Sequence, residues 1–470
     1  MSVFAGLLPA QAQAQSPLCR FGVNVDVAGS EAVDDITDMD VGPLRAGWYI
    51  DYHARQTPSR PGGIEFAQVI NLGQGPDRSF HYSPKGADLL DIIDANPGAI
   101  WFIGNEPDRR GYQDDIEPDV YARAYGTLYA LIKGRDATAR VYPGSIVQAT
   151  ELRLKYLNIV LDTYLAEYGR AMPVDGWSIH GFILREVSES HPTLSAWGAG
   201  IPPGLDDLTG LVINVRDNDS VALFVQQIER FRQWMADNGY RNVPLILSEY
   251  GVLMPDGFED EDGRAFDHGR VNAFMDTTFD YVLNTRSAQV GYPLDDNRLV
   301  QRLSWYSTND KNFNGWLFDT DNALNRSLMG DNYVSYTADV EEELDFFPNI
   351  VRVLPAKLVK DEGTANLTLQ ADIVNQGNSA LEQQATVRFY DGDPSVDGQQ
   401  IGADQIVRLT GCADVASVSV QWNNVPPERY EIYVVVESNS PLSELNPSNN
   451  IKSHSFFFGE QFLFLPNVRW

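Results

Sequence analysis

The sequence predicts a mixed α/β domain followed by a smaller all-β domain, and two patterns lead to this prediction. From residue 20 to about residue 310, short apolar segments alternate with segments whose apolar residues recur every three or four positions. This alternation is typical of parallel strands joined by helices. After residue 345 the helical spacing disappears, and short alternating strands follow one another between turn residues, as in a β-sandwich.

The first part of the chain contains the strands and helices of a (β/α)8 barrel. The predicted strands are Arg20–Val25, Gly42–Ile50, Ile64–Leu72, Ala99–Ile103, Arg140–Ser145, Gly176–His180, Pro244–Ser248 and Gln301–Tyr306. The predicted helices are Ser83–Asn96, Val120–Ile132, Leu152–Tyr168, Ser220–Met235 and Val271–Leu283. A doubly wound open sheet is the alternative. It would carry a glycine-rich turn after its first strand, where this sequence has Val23-Asn24-Val25-Asp26.

The second part predicts a sandwich of short strands. These are Asn366–Val374, Gln384–Tyr390, Gln405–Leu409, Ala416–Trp422, Tyr430–Val436 and Ile451–Phe458. We therefore divide the chain into an N-terminal tail (1–18), an α/β domain (19–345), a β-sandwich (346–460) and a C-terminal tail (461–470).

The composition is that of an ordinary globular protein, with 43% hydrophobic and 21% charged residues. No uninterrupted apolar stretch reaches the roughly 20 residues that a membrane-spanning helix needs. The net charge of −30 argues against nucleic acid and anionic lipid as partners, because both would be repelled. A neutral partner such as a polysaccharide is compatible with this charge.

The first residues resemble the end of a secretory signal. Phe4–Pro9 is a short apolar run, and Ala10–Ala14 offers small residues for cleavage. The basic segment that opens such signals is missing, and a disordered Ala/Gln-rich tail is the alternative. The first interpretation predicts a secreted or cell-surface protein.

The sequence calls for no metal and no organic cofactor. It contains neither a His-Glu-x-x-His zinc motif nor a Gly-x-Ser-x-Gly nucleophile elbow. Its two cysteines, Cys19 and Cys412, are too few to form a zinc site or to stabilise a fold of this size through disulfide bonds. We expect two unpaired thiols rather than a bridge between the domains.

Two connections of the α/β domain are long, Phe182–Val215 and Val252–His268, and long connections are usually functional walls or lids. The second contains the acidic run Glu259-Asp260-Glu261-Asp262. Such a run could hold Ca²⁺, but its spacing matches no calcium loop. A solvated charged loop is the favoured interpretation.

Two segments run from an apolar strand directly into a glutamate. Trp101–Pro107 contains Glu106, and Leu245–Gly251 contains Glu249. A continuous apolar run bounded by turn residues is typical of a parallel strand buried on both faces. A carboxylate at its end would lie at the rim where barrel enzymes carry their catalytic groups. We therefore expect the two glutamates to face one another.

Two facing carboxyl groups are the minimum for cleaving a glycosidic bond. One must deliver a proton to the departing oxygen, and the other must be ionised beneath the anomeric carbon. Carboxylates about 5 Å apart repel each other and separate their pKa values, which separates the two roles. Asn105, just before Glu106, is an uncharged donor that can hold a sugar 2-hydroxyl.

These motifs resemble a large clan of retaining β-glycosidases built on (β/α)8 barrels. The resemblance covers about residues 20–330 and rests on Asn105-Glu106-Pro107 at the end of the fourth strand and Ser248-Glu249-Tyr250-Gly251 at the end of the seventh. It implies that Glu106 is the general acid/base and that Glu249 is the nucleophile.

Three further positions resemble substrate-site residues of that clan. Arg45 resembles an arginine that braces the nucleophile, His180 a sixth-strand histidine near the cleavage point, and Trp305 an aromatic floor for the sugar ring. A structural ion pair, a core histidine and simple packing are the respective alternatives.

The sequence also departs from the clan. Many members carry a tyrosine two residues after the histidine, hydrogen-bonded to the nucleophile, and this chain has Phe182 there. Tyr142, Tyr250 or Tyr306 could take that role.

The C-terminal part resembles the bacterial cell-adhesion-related (CARDB) module of Ig-like shape. The residues that carry the resemblance are Ala371–Gly377, Val387–Pro394, Gln400–Gly402 and Glu444–Asn450. Such modules usually serve as spacers or surface-interaction domains, so the resemblance implies a contact with the cell surface.

The sequence as a whole predicts an exported retaining glycosidase that acts on a β-linked poly- or oligosaccharide by double displacement. The rival is a carbohydrate-binding or adhesion protein without catalysis, which the adhesion-like module and Phe182 suggest. Carboxyl groups about 5 Å apart and facing an open cleft favour the enzyme. A separation beyond ~10 Å, or a cleft filled by Phe182–Val215, favours the rival.

Overall fold

The computed structural model describes residues 16–29, 31–354 and 363–457. The predicted secretory signal and the C-terminal tail at 461–470 lie outside these residues. None of the helices within the described ranges is long and apolar enough to cross a membrane.

The N-terminal part is a mixed α/β structure. Its strands are β1 (Leu18–Asn24), β2 (Ala46–Ile50), β3 (Glu65–Phe66), β4 (Gln68–Gln74), β5 (Phe80–Ser83), β6 (Ile100–Ile103), β7 (Arg140–Pro143), β8 (Trp177–His180), β9 (Leu245–Tyr250), β10 (Arg302–Trp305), β11 (Phe318–Asp319) and β12 (Asn325–Arg326). Its helices are α1 (Ala87–Ala95), α2 (Pro118–Arg135), α3 (Glu151–Tyr168), α4 (Val221–Asp237), α5 (His268–Asn284) and α6 (Leu328–Ala338).

The main strands are parallel and lie in two sheets. One has the order β3-β2-β1-β10-β9-β8, and the other has the order β5-β4-β6-β7, in which β5 is antiparallel. Only Ala67 separates β3 from β4, and its N–H donates to the carbonyl of Tyr49 in β2. Beyond β7, Ile146 forms a parallel bridge with Ile179 of β8. The two sheets therefore contact each other at both ends.

Both faces of these strands are buried. One face, which includes Trp101 of β6 and Trp177 of β8, packs against the helices. The other face forms a separate cluster of Trp48, Ile50, Ala67, Val69, Ile100, Phe102, Tyr142 and Ile246. Adjacent residues such as Trp101 and Phe102 thus point to opposite sides, as strand geometry requires.

The predicted elements are present, with shifted ends. One assignment is wrong, because Gly42–Leu44 is a short 3-10 helix rather than the start of β2. Pro43 at its first turn has no N–H for a strand ladder, and Arg45 closes the turn in the left-handed region with φ 53°. Helix α6 was not predicted, since its buried positions include Gly330 and Thr337, which carry little apolar signal.

The C-terminal part is all-β. Its strands are β13 (Phe346–Leu354), β14 (Ala365–Asn375), β15 (Gln383–Asp391), β16 (Gln399–Leu409), β17 (Asp414–Val425), β18 (Arg429–Ser438) and β19 (Ile451–Phe457). They form a sheet in the order β13-β14-β17 and a second in the order β16-β15-β18-β19, both antiparallel. Alternate residues such as Leu367, Leu369, Val387 and Phe389 form their common core.

The two parts are covalently joined beyond the main chain. Cys19 of β1 forms a disulfide with Cys412, between β16 and β17, across 393 residues of sequence. The Cys19 N–H also donates to the carbonyl of Asn378 at 2.8 Å. Next to it, the buried Arg20 pairs with Asp295 at 2.7 Å and donates to the carbonyl of Gln376.

The expectation of two unpaired thiols is therefore wrong. This contact could not be predicted from the sequence, because the cysteines are far apart and nothing in the local pattern around Cys19 or Cys412 indicates that the two segments pack together.

Removing the disulfide tests its contribution to stability. We expect the Cys19→Ser/Cys412→Ser variant to unfold at a lower temperature, because losing a native disulfide typically costs about 2–5 kcal/mol. Differential scanning calorimetry of the variant, and of the unaltered protein with and without a reducing agent, measures the effect. Reductant should lower the midpoint of the unaltered protein to that of the variant and leave the variant unchanged. Two free thiols by mass spectrometry under non-reducing conditions would contradict the bridge.

Candidate active site

The ends of β6 and β9 bring two carboxyl groups together. Glu106 follows β6, and Glu249 is the penultimate residue of β9. One ligand-type atom from each of Glu106, His180 and Glu249 can be chosen so that all three lie within 4.8 Å of one another. The exposed fractions of the two glutamates are 1% and 8%. The carboxyl groups therefore form a close, largely buried pair, and Glu249 is the more accessible member.

The backbone that presents Glu106 has an unusual conformation. Gly104 and Glu106 both lie in the left-handed region, with φ values of 95° and 46°, which a side chain such as glutamate rarely adopts. Two hydrogen bonds hold the turn: the Asn105 N–H donates to Asp114 Oδ2 at 2.7 Å, and the Glu106 N–H donates to the Ser145 carbonyl at 3.0 Å. Backbone strain of this kind concentrates at functional sites.

His180, the last residue of β8, lies between the two carboxyl groups. Its Nδ1 donates to Glu106 Oε1 at 3.0 Å, and its Nε2 is 3.5 Å from Glu249 Oε2. Burial lowers the pKa of the imidazole, but the charges of the two glutamates outweigh burial and raise it above the usual value. A protonated His180 therefore offsets the repulsion between the carboxylates.

A tyrosine that the sequence analysis did not identify contacts Glu249. Tyr52, just after β2, donates its hydroxyl to Glu249 Oε2 at 2.7 Å. The three suggested tyrosines do not hold this position: Tyr142 lies in the cluster enclosed by the strands, Tyr250 packs against Phe224 and Trp305, and Tyr306 donates to Asp310.

The surroundings move the pKa values of the two glutamates in opposite directions. Burial raises the pKa of Glu249 to about 7, reinforced by the charge of Glu106 and opposed by His180 and the Tyr52 hydroxyl. Burial also acts to raise the pKa of Glu106, but the hydrogen bond and charge of His180, together with the charge of Arg109, lower it below its usual value. The surroundings therefore favour the ionised form of Glu106 and the neutral form of Glu249.

Hydrogen bonds join the strand ends next to the two glutamates. Ser145 and Ser248 share a hydrogen bond of 2.5 Å, and Asn24 Nδ2 donates to the Ser248 carbonyl at 3.0 Å. Ser304 donates to Asn24 Oδ1 at 3.1 Å. These bonds link the ends of β1, β9 and β10, so the site rests on rigid strands rather than on loops alone.

Aromatic rings form one wall of the site. Phe182 lies edge-on to His180, with ring centroids 5.9 Å apart, and edge-on to Tyr306 at 6.0 Å. Phe182 is buried, whereas Tyr306 and Tyr52 are partly exposed. Access to Glu249 is therefore bordered by tyrosine rings.

Arg45 does not reach this site, which corrects the sequence analysis. It precedes β2, and its guanidinium donates to the carbonyls of Ser16, Thr337 and Val340. Because β2 runs parallel to β1 and β10, and so to β9, its amino end lies opposite the carboxyl end that carries Glu249. Arg45 is a structural cation.

Trp305 also faces away from the carboxyl groups. It is fully buried, its indole N–H donates to the Gly315 carbonyl at 2.8 Å, and its ring packs edge-on against Tyr250 and Phe279 of α5. Side chains alternate along a strand, so the next residue, Tyr306, takes the position expected of an aromatic wall.

Asn105 is adjacent to the site, with its side chain directed along the loop. Its Nδ2 donates to Gln113 Oε1 at 3.3 Å. Asp114 accepts hydrogen bonds from the N–H groups of Asn105 and Leu72 and so supports the same turn. Burial raises the pKa of Asp114 to about 8, although these two hydrogen bonds act to lower it. The sequence offered no signal for Asp114, which lies in an irregular loop.

An ion network anchors the long loop after β8. Arg153 of α3 is completely buried and pairs with Asp108, two residues after Glu106, at 2.5 Å and with Glu186 of the loop at 2.8 Å. It also donates to the carbonyls of Ala199 and Gly200. The loop is therefore fixed to the segment that presents Glu106.

Three residues of the acidic run in Val252–His268 are paired by protein groups. Asp260 contacts Arg264 and Arg270, and Glu261 accepts backbone N–H groups of the preceding loop. Asp262 pairs with Arg216. These contacts fit a charged loop better than a calcium loop.

Glu106, His180 and Glu249 form the one cluster of potential metal ligands found among the described residues. Both nitrogens of His180 already face a carboxylate, one on each side. This placement allows a protonated imidazole to interact with both carboxylates.

Comparison with known proteins gives the following similarities. The CARDB family model matches residues 353–454, so the chain carries a CARDB domain at its C-terminal end. No curated protein sequence matches the chain.

Several solved structures are similar in fold. A glucosidase from Croceicoccus marinus is 12% identical, with 88% of this chain and 95% of that chain covered and a TM-score of 0.43. An α-L-arabinofuranosidase from Thermotoga maritima is 14% identical, with coverage of 91% and 95% and a TM-score of 0.40. The CARDB domain of a Pyrococcus furiosus protein is 15% identical and covers 24% of this chain and 90% of its own, with a TM-score of 0.18.

Replacing Tyr52 tests the electrostatics of the pair. Since the Tyr52 hydroxyl stabilises ionised Glu249, we expect Tyr52→Phe to raise the pKa of Glu249 above about 7. Carbon-13 NMR titration of labelled glutamate carboxyl groups, assigned with Glu249→Gln, measures the shift. The matched control is Tyr129→Phe on α2, away from the site, which should leave this titration unchanged. A lower pKa in Tyr52→Phe would contradict the assignment.

Proposed function

We propose that the chain is a retaining glycosidase in which Glu106 is the general acid/base and Glu249 is the nucleophile. The single observation that carries the proposal is the buried pair of carboxyl groups with oxygen atoms within 4.8 Å. Retaining enzymes place their carboxyl groups about 5–5.5 Å apart, whereas inverting enzymes need about 6.5–9.5 Å to admit a water molecule.

The pairing of the strands supports a closed (β/α)8 barrel as the scaffold. The sheets contact each other at both ends. When β3 and β4 are taken as one strand, Glu106 follows the fourth parallel strand and Glu249 lies near the end of the seventh. Both groups then lie at the rim that carries the chemistry of barrel enzymes.

The proposed reaction has two steps. In the first, Glu106 gives its proton to the departing glycosidic oxygen while Glu249 bonds to the anomeric carbon, and the bond to the leaving group breaks. In the second, Glu106 takes a proton from water, the water oxygen attacks the anomeric carbon, and the ester to Glu249 breaks. The products are two sugars, and both carboxyl groups regain their starting protonation.

This reaction requires the proton on Glu106 and the charge on Glu249. The surroundings act against this arrangement, since burial raises the pKa of Glu249, while His180 and Arg109 lower that of Glu106. This arrangement and the opposite one differ only by the transfer of one proton within the pair, so they belong to the same macroscopic protonation state. Substrate binding must therefore shift the proton toward Glu106.

The proposal also includes the substrate class, the location of the protein and the role of the C-terminal domain. The substrate is a β-linked poly- or oligosaccharide, the protein is exported, and the CARDB domain contacts the cell surface. The disulfide between Cys19 and Cys412 supports export, because disulfides persist in oxidising compartments.

Glu249→Gln tests the nucleophile. Turnover of β-linked substrates, surveyed with β-glucans, mannans, xylans and aryl glycosides, should fall by about 10⁴-fold or more because no covalent intermediate can form.

The thermal stability of the variant is the control. The raised pKa means that ionising Glu249 costs folding stability as the pH rises from 4.5 to about 7, so the variant should melt no lower than the unaltered protein at pH 8. Near-normal turnover in the variant would refute the mechanism. An unaltered protein that binds sugars but cleaves none would favour the non-catalytic rival.

Glu106→Gln tests the acid/base. Glycosides with poor leaving groups should lose about 10²–10⁴-fold in rate, the usual contribution of a positioned proton donor. Dinitrophenyl glycosides need no proton in the first step, so a burst of dinitrophenol should remain, measured by stopped-flow absorbance. Equal losses with both kinds of leaving group would assign Glu106 another role.

A further inference from the structure

Arg109 is an incompletely paired cation beside the proposed proton donor. Its Nη1 lies 3.2 Å from Glu106 Oε2, which is the one ion pair found for it among the described residues. Its Nε is buried without a hydrogen-bond partner. The guanidinium carbon lies 5.1 Å from the centre of the Tyr112 ring, and Tyr112 is 66% exposed.

Neighbouring arginines donate more hydrogen bonds to protein groups than Arg109 does. Arg110 donates to three backbone carbonyls of the Phe182–Val215 loop. Arg153 donates to two carboxylates and three backbone carbonyls. A guanidinium has five N–H donors, and a buried donor left unpaired is unfavourable. Arg109 thus retains donors that its own protein does not use.

The position of Arg109 indicates which part of a substrate it would meet. Glu106 Oε1 faces His180 and, beyond it, Glu249, whereas Oε2 faces Arg109. The sugar that is attacked must lie between the carboxyl groups. A group that contacts Arg109 therefore belongs to the leaving-group side, where the exposed Tyr112 ring offers a flat apolar face to a sugar ring.

The chemistry of a guanidinium indicates the kind of group. Arginine binds planar oxyanions through paired hydrogen bonds and is weakly hydrated. A neutral hydroxyl would leave its charge directed at Glu106, which keeps that carboxyl group ionised and unable to act as an acid. An oxyanion on the substrate would share the guanidinium and thereby favour the protonated form of Glu106.

We propose that Arg109, together with Tyr112, binds an oxyanion on the leaving-group sugar, so that the preferred substrate is an acidic glycan carrying a carboxylate or a sulfate ester next to the scissile bond. This inference rests on the proposed glycosidase function and names its substrate class. The net charge of −30 repels such a chain at long range. At about 0.15 M salt this repulsion is screened beyond roughly 8 Å, and direct contact with Arg109 decides the selectivity.

The test compares three disaccharides with the same non-reducing sugar, chosen as the one that the unaltered protein releases fastest from its aryl glycoside. The leaving-group sugar carries a hydroxymethyl group, a carboxylate or a 6-O-sulfate at the same position. At 0.15 M salt, kcat/KM should favour at least one acidic disaccharide over the neutral one by about 10- to 100-fold. The better of the two acidic substrates identifies the anion.

Arg109→Gln should remove this preference, and Arg109→Lys should retain part of it, because lysine keeps the charge but not the paired geometry. The control is Arg135→Gln, an exposed arginine that pairs with Asp94 on the surface, which should leave the preference unchanged. A neutral substrate cleaved as well as the acidic ones, or an unchanged preference in Arg109→Gln, would overturn the proposal.

Binding separates this inference from the proposed function. If no glycoside in the survey is hydrolysed, the glycosidase proposal fails, and isothermal titration calorimetry with the three disaccharides built on a β-linked glucose still decides the role of Arg109. Acid-selective binding that is lost in Arg109→Gln supports the oxyanion site. Equal binding of the three, or binding of none, overturns it.

Discussion

The repulsion between two buried carboxyl groups within 4.8 Å of each other is the constraint around which this site is organised. Ionising both would be costly in a buried environment. His180 offsets part of the repulsion by facing both groups, Tyr52 stabilises the charge of Glu249, and Arg109 stabilises that of Glu106. Hydrogen bonds from the Asn105 and Glu106 N–H groups hold the left-handed backbone that presents Glu106 to the pair.

The same surroundings act differently on the two glutamates. Burial favours the neutral form of Glu249, whereas the cations His180 and Arg109 favour the ionised form of Glu106. A ligand that draws charge away from Arg109 would weaken the second preference. Under the proposed mechanism, the protonation of Glu106 would then depend on whether the site is occupied.

The strands, most helices and the pair Glu106 and Glu249 could be predicted from the sequence, because buried parallel strands have a strong apolar signal and end at a common edge. Positions that depend on a single residue of register or on a distant contact could not be predicted in this way. Trp305 and Tyr306 are adjacent, and alternation alone places one against the helices and the other in the site. Tyr52 follows β2 in the left-handed region, with φ 64°, so no strand pattern indicates where its hydroxyl lies.

The disulfide at Cys19 has a consequence for orientation. Cys19 is near the amino end of β1, and the carboxyl groups lie at the opposite end of the parallel strands. The C-terminal domain is thus attached to the base of the α/β part, with Arg20 and the backbone of Asn378 reinforcing the joint. A partner that held this domain would leave the opening at Glu249 pointing outward, away from the point of attachment and toward material in the surrounding medium.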